Sequence, residues 1–126
     1  MRPTLLLLVL VVAQMAGAAE IDCPSRWEQV PGWAQIGRAA STRVTSAGMM
    51  VGPLNLNGEL RGVDRIAKDR AEVRFANLND YVEPVEKWMY CSYGLDARMA
   101  RRLPDNIAEC IATIRKRAGM ASIRCR

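Results

Sequence analysis

The chain is predicted to be mainly β, a small antiparallel meander or sandwich cross-linked by two disulfides. Three observations carry this. Ala71, Val73 and Phe75 alternate with Glu72 and Arg74, and Ala121, Ile123 and Cys125 alternate with Ser122, Arg124 and Arg126. That period of two is the pattern of a half-buried strand. Val85 to Tyr93 is apolar on both faces, which suits a central strand covered on both sides. The four cysteines (Cys23, Cys91, Cys110, Cys125) all lie beyond the amino-terminal apolar segment, and an even count in that context reads as two disulfides.

Taken in order, the first segment is a targeting signal. Arg2 supplies its positive end, Leu5 to Val12 is an unbroken apolar run, and Ala16-Gly17-Ala18 is a small-residue cleavage site. The run is too short for a membrane span, which needs ~20 apolar residues. Residues 1–18 are therefore expected to be cleaved. Residues 19–126 are expected to form a single disulfide-bonded domain in the periplasm, with no membrane span.

Asp22 to Val30 opens the domain and Pro31-Gly32 turns it. Residues 34–47 are small and polar and take no assignment. Arg43 to Val51 reads as a strand closed by Gly52-Pro53. Leu54 to Leu60 contains Asn57-Gly58, a hairpin signal that sets Leu56 opposite Leu60 with a three-residue loop. Val63 to Asp69 reads as a charged connection. Ala71 to Ala76 is a strand, and Asn77 to Asp80 and Gly94 to Asp96 are turns. Ala97 to Arg102 is extended, and Leu103-Pro104-Asp105 turns again.

Residues 107–117 fit two templates. As a helix, Ile107, Cys110, Ile111, Ile114 and Ala118 share a stripe, Asn106 with Glu109 forms a capping box, and Gly119 ends it. This gives the alternative fold, α+β with one helix. As a strand, a hairpin turning near Arg117-Ala118 puts Cys110 opposite Cys125 on one apolar face. Four cysteines allow three pairings; this hairpin favours Cys110–Cys125 and leaves Cys23–Cys91. Paired C-x-x-C spacing and His are absent, so disulfides are expected in place of zinc.

The sequence contains no His. Ser-His-Asp and Cys-His catalysis, His ligation and the usual general base near neutral pH are thereby removed. Cysteines committed to disulfides are not nucleophiles. Glu83 and Glu86 flank Pro84, a proximity that a chain with 13 acids produces by chance. No enzyme activity, metal or cofactor is expected. The Cys23, Trp33, Cys91 order imitates an immunoglobulin pattern, but Tyr90 directly precedes its cysteine, so the likeness is coincidental.

The candidate binding residues are aromatic and basic. Trp88 and Tyr90 share a strand face, and Trp, Tyr and Arg dominate interface energetics. The formal net charge is +5, and residues 98–126 hold eight basic and two acidic side chains. Arg98 with Arg102, Arg115, and Arg124 with Arg126 each mark one strand face. Three neighbouring strands would align them as a basic stripe for an anionic partner. Nucleic acid is not an expected partner.

Trp88-Met89-Tyr90-Cys91-Ser92-Tyr93-Gly94, then Arg102-Leu103-Pro104, then Cys110 and a terminal Ile123-Arg124-Cys125-Arg126, resembles a family of short exported proteobacterial proteins of uncharacterised function. An early Cys23-Pro24 and the stretch Gly48 to Pro53 extend the likeness. In those relatives the segment after the third cysteine is rich in Val and Tyr; here it is Ile111-Ala112-Thr113-Ile114. Some relatives are encoded near type VI secretion genes. The resemblance implies a periplasmic binding protein, an immunity or inhibitor protein that occludes a toxin or envelope hydrolase. The alternative expectation is an envelope module that binds anionic lipid or polymer through the basic face.

Overall fold

The computed structural model describes residues 19–126; the expected signal peptide lies outside the described residues. Nine strands follow one another: β1 (Glu20–Asp22), β2 (Ala34–Ile36), β3 (Ser46–Val51), β4 (Val63–Ala67), β5 (Arg70–Phe75), β6 (Lys87–Ser92), β7 (Arg98–Arg102), β8 (Cys110–Arg115) and β9 (Met120–Cys125). They form two antiparallel sheets, in the orders β1-β9-β8-β5-β4 and β2-β7-β6-β3. β3 packs against β8 and β9, so the sheets face each other across one core. This is the predicted β-sandwich with two disulfides. Among the described residues, no helix is long and apolar enough to cross a membrane.

The period-two segments behave as their patterns require. Phe75 on β5, Cys110, Ala112 and Ile114 on β8, and Ala121 and Ile123 on β9 turn inward, where they meet Met49, Met89, Cys91 and Met99 from the other sheet. Burying one such large side chain contributes about 1.5–3 kcal/mol. The unbranched methionines fill the irregular gaps between the sheets.

Residues 107–117 resolve as strand, and the helix alternative is overturned. β8 is laddered on both sides, to β5 and to β9. Ile111, Thr113 and Ile114 are β-branched, which favours the pleated surface over the helix. Cys110 is the register partner of Cys125, and the two are bonded with Cα atoms 4.0 Å apart. Gly119 takes a positive φ of 61° at the end of the β8–β9 turn instead of capping a helix. Cys23 bonds Cys91, tying the segment after β1 to β6 in the opposite sheet. Both pairings are those expected.

Two local expectations need correction. Val63–Ala67 is a strand, β4, and not a connection. Its charges hid it, because every residue of it is exposed. The Asn57-Gly58 hairpin does not set Leu56 against Leu60 either. Leu54–Leu56 is one turn of 3-10 helix, and Asn57 takes a left-handed conformation with φ 49°. The chain then folds back along β3: the Val51 N–H donates to the Gly58 carbonyl and the Leu60 N–H to the Met49 carbonyl, both at 2.9 Å. Residues 58–60 thus cover the outer edge of β3.

Candidate functional site

The outer face of the four-stranded sheet gathers four of the predicted binding residues. On β6 the inward side chains Met89 and Cys91 alternate with outward Trp88, Tyr90 and Ser92. The β6–β7 register pairs Trp88 with Arg102, Tyr90 with Ala100, and Ser92 with Arg98. Across β3, Trp88 meets Met50 and Tyr90 meets Gly48. Met50, Tyr90 and Ala100 form a small buried cluster on this face, edged by Ile36, Leu54 and Trp88.

Tyr90 is not available as a contact residue, which corrects the sequence expectation. The Arg98 guanidinium carbon stands 4.1 Å from its ring centroid. The Tyr90 hydroxyl donates to Glu59 Oε1 at 2.7 Å, and Arg98 donates to Glu59 Oε2 at 2.8 Å and to Asn57 Oδ1 at 2.9 Å. Arg98 and Glu59 therefore lid the ring, and only 7% of Tyr90 remains exposed. The Arg98 hydrogen bond, followed by that from Tyr90, holds the Glu59 carboxyl below its ordinary range. Burial, reinforced by the nearby Glu59, raises the Tyr90 phenol.

Trp88 and Arg102 are the available pair. Trp88 is half-buried, and its indole Nε1 donates to Glu86 Oε2 at 3.2 Å. Arg102 lies 5.8 Å from the ring centroid and bridges Glu86 at 3.1 Å and Asp105 at 3.2 Å. The Arg102 hydrogen bond keeps the Asp105 carboxyl below its ordinary value. The hydrogen bond to Glu86 and the neighbouring Arg102 thus restrict the orientation of the half-buried indole. Next to it, Lys87 is fully buried and donates to the Asp105 carbonyl at 2.5 Å, which supplies the partner a buried ammonium needs.

Arg115, Arg124 and Arg126 lie elsewhere, so the single basic stripe is overturned. β7 belongs to one sheet and β8 and β9 to the other. The alternation of β8 and β9 points these three arginines outward on the five-stranded sheet, on the far side of the sandwich from Arg98 and Arg102. Acids are interspersed among them. Arg126 and Arg74 both reach Glu109, at 3.5 and 2.9 Å, and the Arg74 hydrogen bond lowers the Glu109 carboxyl. Arg115 and Arg124 line a depression of about 310 Å3 together with Arg70, Glu20, Glu72 and Thr113.

Of the carboxylates that organise the first face, sequence reasoning missed Glu59 and Asp105 and set Glu86 aside as chance proximity to Glu83. Glu86 carries a readable signal, since it lies two residues before Trp88 and shares its side of the strand. Glu59 does not, because its place depends on the chain folding back over β3. Comparison of the chain with protein-family models, with curated proteins and with solved structures gives no match.

Proposed function

We propose that the chain is an exported binding protein of the periplasm, an immunity or inhibitor protein that occludes a protein partner with the outer face of its four-stranded sheet. The observation that carries this reading is Trp88, clamped through Nε1 by Glu86 and flanked by Arg102 on a strand at the middle of the sheet. Trp and Arg are the residue types that most often carry binding energy. A side chain already fixed in place loses little entropy on binding. Two disulfides and two laddered sheets keep the face from yielding, as steric occlusion requires. The signal-like amino terminus and the resemblance to exported proteins supply the compartment.

The anionic-surface reading is weaker. The five arginines are divided between opposite faces, and Arg98, Arg102 and Arg126 are matched to carboxylates. Their field is largely cancelled at close range.

The test is a pull-down from periplasmic extract with oxidised protein, at low and at high salt, beside a Trp88→Ala variant. One protein retained at both salts and lost with Trp88→Ala supports occlusion through this face. Capture of anionic lipid or polymer alone, lost at high salt, overturns it. So does a protein partner that Trp88→Ala holds equally well, or failure to protect cells against any periplasmic toxin.

A further inference from the structure

The depression on the five-stranded sheet mixes its arginines with Glu20, Asp22 and Glu72. A second depression, of about 460 Å3, lies where the β8–β9 turn meets the segments that follow β1 and precede β3. It is lined by Ser25 and Arg26, by Thr42 and Arg43, and by residues 118–120 of the turn. Two guanidiniums and two hydroxyls stand there with no carboxylate in the lining. We propose that this depression binds a phosphate group, as the free ion or as a phosphomonoester carried on a larger molecule. It shares no residue with the Trp88 face, so it stands or falls apart from occlusion there.

Backbone contacts hold its walls in place. The Cys23 N–H donates to the Ala121 carbonyl at 2.9 Å, and the Trp27 N–H to the Thr42 carbonyl at 3.0 Å. Arg26 is thereby carried between β9 and the approach to β3. The Ser41 hydroxyl brackets Arg43, accepting from its N–H at 3.2 Å and donating to its carbonyl at 2.9 Å. The Arg43 side chain lies against the β8–β9 turn: a Cβ at Gly119 would stand 3.3 Å from its Cδ and 3.5 Å from its Nε. With no side chain at position 119, the Arg43 stem rests along the turn and shares the depression with Arg26.

The donor set suits an oxyanion. A guanidinium is a planar fork that matches a phosphate edge, and each hydroxyl adds a donor. All four side chains are exposed, and among the described residues neither Arg26 nor Arg43 enters an ion pair. Arg115, Lys116 and Arg117 lead into the same turn, with Asp69 offsetting Arg117 at 3.9 Å. A recess lined by one sign of charge raises the local concentration of the opposite ion. A carboxylate needs one guanidinium. Two of them, with further cations alongside, suit a group that carries close to two negative charges, as a phosphomonoester does at neutral pH.

The test is a titration of the oxidised protein with inorganic phosphate at low ionic strength, read by backbone amide NMR shifts, beside chloride at matched ionic strength. Saturable shifts centred on Arg26, Arg43 and Gly119, absent with chloride, are expected. Arg26→Met and Arg43→Met keep an apolar stem and should each weaken binding by about tenfold or more. Arg124→Met, in the mixed depression, should leave it unchanged. Vesicles containing phosphatidate, beside vesicles of phosphatidylcholine alone, separate the sources. Retention on phosphatidate that Arg43→Met abolishes assigns a lipid headgroup; phosphate binding without retention assigns a soluble phosphomonoester. No saturable shift, shifts that chloride reproduces, or shifts centred on Thr113 and Arg124 overturn the proposal. So does an affinity that survives both changes at Arg26 and Arg43, or one that Arg124→Met removes equally. The location of the shifts decides by itself if a variant does not fold.

Discussion

Gly48 and Tyr90 are cross-strand partners, and the tyrosine ring occupies the space a side chain at 48 would need. A Cβ at Gly48 would lie 2.6 Å from the ring Cζ and 2.5 Å from its hydroxyl. The ring cannot swing aside without breaking its bond to Glu59 and leaving Arg98. Gly48→Ala is therefore expected to destabilise the fold by about 1–3 kcal/mol, the range for overpacking. Urea unfolding measures it. In a Tyr90→Ala background the same glycine change should cost almost nothing, because the two residues are in contact and their effects are not additive.

The two disulfides close loops of different length, with sequence separations of 68 and 15. Loop-closure entropy in the unfolded chain grows with that length. Replacing Cys110 and Cys125 by Ala should cost about 3 kcal/mol, and replacing Cys23 and Cys91 about 4 kcal/mol. Denaturant titration of the two paired variants gives the order. The reverse order would mean that the constraint on the unfolded chain is not what separates them.

Stability should fall on both sides of neutrality. Arg98 holds the folded Glu59 carboxyl below its ordinary value of 4.5. A depressed folded pKa adds stability above the unfolded value, lost as pH drops through the folded one. Unfolding free energy should thus decline from about pH 4.5 downward, and Glu59→Gln should flatten that slope. At the alkaline end, burial pushes the Tyr93 phenol up to about 12 from its usual 10.0. A raised pKa leaves stability intact below the unfolded value and removes it as pH rises through the folded one. The loss should run from pH 10.0 to about 12, with phenolate absorbance reporting it.

Trp88→Ala separates binding from folding. The indole is half-buried on an outer face, so its removal should shift the unfolding midpoint only modestly. For a captured partner it should cost at least about 2 kcal/mol, roughly thirtyfold in Kd. Calorimetric titration of that partner against both proteins gives the ratio.

Most of the sandwich was legible because its inner strands repeat with period two around apolar side chains. β5, β6 and β9 could each be read from alternation or from burial on both faces. β8 was ambiguous because Ile107 and Ile111 complete a helical stripe as well, and the hairpin that sets Cys110 opposite Cys125 left both templates open; its ladders to β5 and β9 make it a strand. β4 was hidden for the opposite reason: an edge strand with no buried residue has no face to alternate. The candidate site was half legible. Trp88, Arg98 and Arg102 do share one face, since neighbouring strands keep parity. Their separation from Arg115, Arg124 and Arg126 depends on which sheet each hairpin joins, and no local pattern carries that.

β1 hydrogen-bonds to β9, and Ile21 sits opposite Ile123. The five-stranded sheet therefore has its first strand waiting on its last. A chain emerging from a ribosome, amino terminus first, cannot complete this sheet until residues 120–125 are out. Neither β1 nor the β8–β9 hairpin has its full set of neighbours before then. Pairing the first strand with the last is a long-range contact, and closing such contacts slows folding.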